Sequence, residues 1–127
     1  MKARELMIGD WVELYGTPTR WELEDYAKWH KEMERTDVHT FEPIPLTPEI
    51  LEKNGLESSE YYGSNTYKLG NSDKYITFDK TGYVDLCIEY EVPDYGEEDL
   101  LKITTIQYVH ELQHALKLCG IDKQIIL

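Results

Sequence analysis

At 127 residues, 41% hydrophobic and 30% charged, the chain has the composition of an ordinary soluble globular protein, and one domain over 1–127 is expected. Its 25 acidic against 13 basic side chains leave a net charge of −12. That argues against direct nucleic-acid binding, which draws its affinity from cations set against phosphates, and against adhesion to an anionic membrane.

Other classes fall away as well. Cys87 and Cys119 lie far apart and suggest no disulfide framework, and no apolar run approaches membrane-spanning length. The stretch from Met1 carries Glu5 and breaks at Gly9-Asp10, unlike a secretory signal. A cytoplasmic protein is expected, and an acidic one can occupy a basic groove on another protein.

In chain order, Leu6-Met7-Ile8 and a Gly9-Asp10 turn lead into a first strand, Trp11 to Tyr15, stopped by Gly16 and Pro18. The stretch from Arg20 to Asp25 alternates like a strand, with Trp21 and Leu23 on one face. Thr19 and Glu22 also fit a capping box, with Leu23, Tyr26, His30 and Met33 as a helical stripe through Arg35. The segment from Thr40 to Leu46 is extended, because residues before proline avoid the α region. Thr47-Pro48-Glu49 then opens a short helix that Gly55 closes.

From Tyr61 to Val92 the pattern is β. Lys74 to Phe78 forms one strand, Asp79-Lys80-Thr81-Gly82 a tight turn, and Tyr83 to Val92 the next strand. Alternation in that last strand puts Leu86, Ile88, Tyr90 and Val92 on the core side and Asp85, Cys87, Glu89 and Glu91 in water. A loop, Pro93 to Asp99, precedes a helix from Thr104 to Gly120, with Thr104 and Gln107 spaced as a capping box and Gly120 as the stop.

That helix carries the sharpest chemical motif. His110-Glu111-Leu112-Gln113-His114 fits His-Glu-x-x-His, in which two histidines one turn apart reach one zinc ion and the glutamate acts as base on metal-bound water. The pattern lacks its third ligand. Lys117 and Gly120 stand where the longer form places glycine and histidine, and after His114 the only acid is Asp122. A ligand would have to come from upstream, from His30, His39 or a carboxylate. On a helical wheel, Thr105, Tyr108, Val109, Leu112, Ala115, Leu116 and Cys119 make the apolar face, which sends His110 and His114 toward solvent. An amphipathic core helix therefore competes with a zinc site.

A second candidate is the acidic, tyrosine-bearing stretch of Asp85, Glu89, Glu91, Asp94, Tyr95, Glu97, Glu98 and Asp99, which contains no basic residue. It could imitate phosphates in a basic site, or simply keep the protein soluble. Trp11, Trp21 and Trp29 could line a groove or pack in a core. Cys87, without a basic neighbour, reads as inert, and Cys119 reads as core.

Three segments carry a resemblance: Met1-Lys2-Ala3 with Leu6 and Ile8-Gly9-Asp10-Trp11-Val12, then Pro43-Ile44-Pro45-Leu46-Thr47-Pro48-Glu49-Ile50-Leu51-Glu52-Lys53-Asn54-Gly55, then Tyr108-Val109-His110-Glu111-Leu112-Gln113. Together they resemble a group of short uncharacterised proteins of Bacteroides and of their phages and mobile elements. The resemblance implies no catalytic residue. Members of that group often read Val-His-x-Leu-Gln without the glutamate or second histidine, as a packing motif allows. The implied setting favours small proteins that bind host or defence machinery.

The expected architecture is a small antiparallel, barrel-like (SH3-like) sheet with a short helix at 48–54 and a long C-terminal helix packed on it. The expected function is a non-enzymatic accessory protein acting by protein–protein contact, without a cofactor. The alternative is a zinc-dependent hydrolase using Glu111, His110 and His114.

Overall fold

The computed structural model describes residues 6–22, 24–25 and 41–127. Of the helical alternative for Leu23 to Arg35, only Glu24 and Asp25, both helical, are described, and Trp29, His30 and His39 lie outside the described residues. The fold is α+β, and among the described residues every strand pair is antiparallel. It divides into two compact units, residues 1–45 with 108–114, and residues 46–107 with 115–127.

In the first unit, β1 (Trp11–Leu14) is the middle of a three-stranded sheet. It is flanked by β2 (Thr17–Arg20) and β3 (Phe41–Pro43). Tyr15 and Gly16 make the β1–β2 turn, both at positive φ (50° and 82°). Gly16 and Pro18 therefore turn the chain into a paired strand rather than ending the sheet. Pro18 is tolerated because β2 is an edge strand, where a missing N–H costs no ladder bond. Leu6, Val12, Trp21, Ile44, Val109 and Leu112 are buried.

In the second unit, five strands run in sequence order. They are β4 (Ser58–Ser59), β5 (Gly63–Lys68), β6 (Lys74–Phe78), β7 (Val84–Glu91) and β8 (Glu98–Thr105). This order is what successive hairpins produce. Asp79 Oδ1 fixes the β6–β7 turn by accepting from the backbone N–H of Thr81 and Tyr83 and from the Thr81 hydroxyl, while Gly82 takes φ 92°. Those bonds to its charged form hold the Asp79 carboxyl below its usual range, the Thr81 hydroxyl contributing most. Among the described residues the strands form two open sheets, so the expected barrel is not closed.

Helix α1 (Pro48–Lys53) follows its sequence signals closely. Thr47 Oγ1 accepts from Ile50 N–H, Pro48 occupies the first turn, and Leu51 is buried. Gly55 at φ 77° lets Leu56 N–H reach back to Leu51 C=O and Gly55 N–H reach Glu52 C=O, a Schellman ending. Beyond it, the Asn54 side chain donates to Ile126 C=O and accepts from Ile126 N–H, tying down the C-terminal tail.

Helix α2 (Val109–Leu118) is shorter than the sequence suggests. Thr104 does not cap it. Residues 98–105 are instead strand β8, because Thr104 and Thr105 pair with Leu86 and Asp85 of β7. A β-branched segment offered a strand neighbour gains ladder bonds that an isolated helix start would forgo. The stop is as expected. Gly120 at φ 72° permits bonds from Ile121 N–H to Leu116 C=O and from Gly120 N–H to Lys117 C=O. No helix among the described residues is long and apolar enough to cross a membrane.

Candidate functional site

All five residues of the His-Glu-x-x-His segment lie in the first unit, and the structure gives each a partner or a packing position. Tyr108 is the N-cap of α2. The Glu111 carboxylate, at the third helical position, accepts the Tyr108 backbone N–H at 3.1 Å, the returning half of a capping box. Leu112 is fully buried. The Gln113 side chain clamps the turn before β1, accepting from Trp11 N–H at 2.8 Å and donating to Gly9 C=O at 3.0 Å.

The histidines are not on a wet face. His110 is only 5% exposed, its ring stacked on Tyr108 (centroids 5.9 Å apart, planes at 6°) with His114 edge-on at 5.7 Å. His114 Nε2 and Asp10 Oδ2 are hydrogen-bonded at 2.6 Å. Asp10 is fully buried, and the same oxygen accepts from Met7 N–H at 2.7 Å. The turn 7–10, with Gly9 at φ 92°, is thus locked from one side by its own aspartate and from the other by α2.

This arrangement supplies an upstream carboxylate of the kind a zinc site would require, here hydrogen-bonded to His114. A ligating imidazole offers a lone pair and gives its other N–H to a carboxylate. Here Nε2 of His114 is the nitrogen that meets the Asp10 carboxyl. Among the described residues no group of three or more His, Cys, Asp and Glu side chains is placed to hold a metal ion.

The acidic stretch divides into two parts. Asp85 and Glu89 are half-buried and engaged. Asp85 Oδ1 accepts from Thr105 Oγ1 at 3.2 Å and lies 3.5 Å from Lys102 Nζ. Glu89 Oε2 accepts from the hydroxyls of Tyr62 (2.8 Å) and Tyr75 (3.1 Å), whose rings meet edge-on. Burial, and then this bond to a carboxylate, push both phenols above their usual range. Cys87 is also buried, opposite Tyr75 in the ladder, rather than in water. Burial raises its thiol pKa, which suits an inert residue. Cys119 is only partly buried.

Glu91, Asp94, Tyr95, Glu97, Glu98 and Asp99 remain exposed, gathered at the tip of the β7–β8 hairpin. Val92 N–H closes that hairpin on Glu97 C=O at 2.7 Å, so Glu98 and Asp99 belong to a strand and not to the expected loop. Tyr95 is 77% exposed. Beside the tip the sequence reading missed a further element. β8 is exposed along almost its whole length and presents Leu101 (59%) and Ile103 (50%) to solvent.

Of the three tryptophans, Trp11 and Trp21 are described, and they do not line a groove. Trp21 is fully buried, and Trp11 lies under the Arg20 guanidinium, 5.2 Å from its ring centre. A cleft of about 320 Å³ in the second unit, near Lys68 and Lys123, contains none of the candidate catalytic, metal or interaction residues read from sequence. No protein-family model, curated protein or solved structure matches the chain.

Proposed function

We propose that this chain is a non-enzymatic, cytoplasmic accessory protein of a phage or mobile element that acts by protein–protein binding. Its working surface is the β7–β8 hairpin, which occupies a basic site on host or defence machinery. The observation that carries this reading is the exposed strand β8. Leu101 and Ile103 stand in water next to a tip bearing Glu91, Asp94, Tyr95, Glu97, Glu98 and Asp99. Apolar side chains rimmed by like charge mark a contact surface better than a uniformly polar face does.

A zinc-dependent hydrolase is the second reading, favoured by the placing of Asp10 beside His114. It requires two structural bonds, the Glu111 cap and the Asp10–His114 bond, and the burial of His110 to be given up.

The test is capture from the native host followed by mass spectrometry, comparing the wild type with the double variant Glu91→Lys, Glu97→Lys. A partner with a basic surface should be held by the wild type and lost by the variant. Equal capture by both would reject the hairpin tip as the binding surface. One zinc per chain in protein purified without a metal-carrying tag, with activity abolished by Glu111→Gln, would support the hydrolase instead.

A further inference from the structure

Resting on the binding role of the hairpin, we propose the mode of contact: a partner's extended cationic segment adds to β8 as a sixth strand. β8 is the last strand of its sheet, so one edge of its backbone faces away from β7. Which groups face outward follows from two hydrogen bonds. Val92 N–H to Glu97 C=O makes that pair hydrogen-bonded, and the alternation of an antiparallel ladder then carries the same state to Tyr90↔Asp99 and Ile88↔Leu101. Glu89 N–H, bonded to Asp73 C=O on the other side, confirms the phase, since Glu89 therefore cannot also bond Leu100. The backbone groups of Glu98, Leu100 and Lys102 consequently point outward.

Such an edge is a template for strand addition, and proteins usually blunt it. Here the blunting is slight and specific. Asp99 Oδ1 accepts the outward Leu100 N–H at 2.8 Å, and Tyr61 Oη reaches Glu98 C=O at 3.4 Å. Among the described residues no bond engages the Leu100 carbonyl or either backbone group of Lys102. The Asp99 carboxylate acts as a latch on the one donor it covers. A lysine or arginine in the incoming segment would draw that carboxylate away and release the Leu100 N–H to the partner's carbonyl. A neutral or acidic segment would have to displace it without compensation. Leu101 and Ile103 then meet alternate apolar side chains of the same segment. Charge selects against a second copy as the occupant, because each copy carries −12.

The probe is a blocked peptide matched in length to β8 that carries, on one face, a lysine opposite Asp99 followed by valines opposite Leu101 and Ile103, with glutamate in place of lysine as control. Binding by the lysine peptide should slow exchange of the Leu100 and Lys102 amides by at least about tenfold, and the glutamate peptide should not bind. Leu100→Pro removes the outward donor without touching the ladder to β7 and should weaken binding by about tenfold or more. Asp99→Asn keeps an acceptor on Leu100 but removes the charge, and should narrow the preference for the lysine peptide. Failure of the lysine peptide to bind would overturn the proposal. So would protection outside β8, or unchanged binding by Leu100→Pro, provided its amide spectrum is otherwise native. In either case host capture, with its loss in the Glu91→Lys, Glu97→Lys variant, still judges the broader binding role separately. Protection of β8 that grows with protein concentration, without peptide, would instead make a second copy the occupant and overturn the cationic assignment.

Discussion

Two acids two residues apart on β7, Glu89 and Glu91, should respond oppositely to charge reversal. Glu89 accepts two phenol hydroxyls, at 2.8 and 3.1 Å, in a half-buried setting. Hydrogen bonds to a charged group are each worth about 1.5–3 kcal/mol, and partial exposure trims that, so Glu89→Lys should cost about 2–4 kcal/mol. Lysine has no acceptor to offer Tyr62 and Tyr75. Glu91 is exposed and lies directly opposite Glu98, a like-charge pair across the ladder. Glu91→Lys turns it into an opposite-charge pair and should stabilise by about 0.2–1 kcal/mol. In urea, where such a domain unfolds with a slope of about 1–3 kcal/mol/M, the Glu89→Lys midpoint should fall by roughly 1–2 M and that of Glu91→Lys should hold or rise slightly. Equal midpoints for the two variants would refute the assignment of Glu89 to a tyrosine-anchored structural role.

The helix cap makes a second distinction. Glu111→Gln retains an amide oxygen for Tyr108 N–H and should change stability by less than about 0.5 kcal/mol, whereas Glu111→Ala should cost about 1 kcal/mol; thermal melts of the two would show it. Asn54→Ala removes bonds to Ile50 and Ile126 and should cost about 2–4 kcal/mol, with faster amide exchange at Ile126 as the local sign. The pH dependence follows from Tyr62, Tyr67 and Tyr75, all raised first by burial and then by bonds to Glu89 or Glu52. A raised folded pKa gives stability that is complete below the ordinary phenol value near 10 and lost as pH climbs through the folded values. The melting temperature should therefore fall above about pH 10, and Tyr62→Phe with Tyr75→Phe should flatten that fall. An unchanged slope in the double variant would show that other groups cause it.

Local rules carried the sequence reading where the signals are local. Thr47, Pro48 and Gly55 bracket α1, Asp79 and Gly82 form a turn, Lys74 to Phe78 is a strand, and Gly120 ends α2. The reading failed where partners are distant. Leu100 to Thr105 is a short apolar and β-branched run that fits either period, and only pairing with β7 decides it. Cys87 and Glu89 alternate to what looks like a wet face. No periodicity announces that Tyr62 and Tyr75 would converge on that face.

The motif shows the same limit most sharply. A helical wheel finds the apolar stripe of α2 and leaves its other side to water, because it scores only apolar partners. What meets His114 and Gln113 is polar: the Asp10 carboxylate, the Gly9 carbonyl and the Trp11 amide, more than a hundred positions away in sequence. Polar residues packed on a polar turn are invisible to hydrophobic periodicity, yet buried polar groups are for the most part hydrogen-bonded. Such bonding gives the letters of a zinc motif structural roles of their own. Glutamate at the third helical position caps the helix, glutamine clamps two backbone groups, and a histidine one turn beyond the first reaches a buried aspartate. A chain that needed only to hold the turn 7–10 against α2 would select these residue types for packing alone.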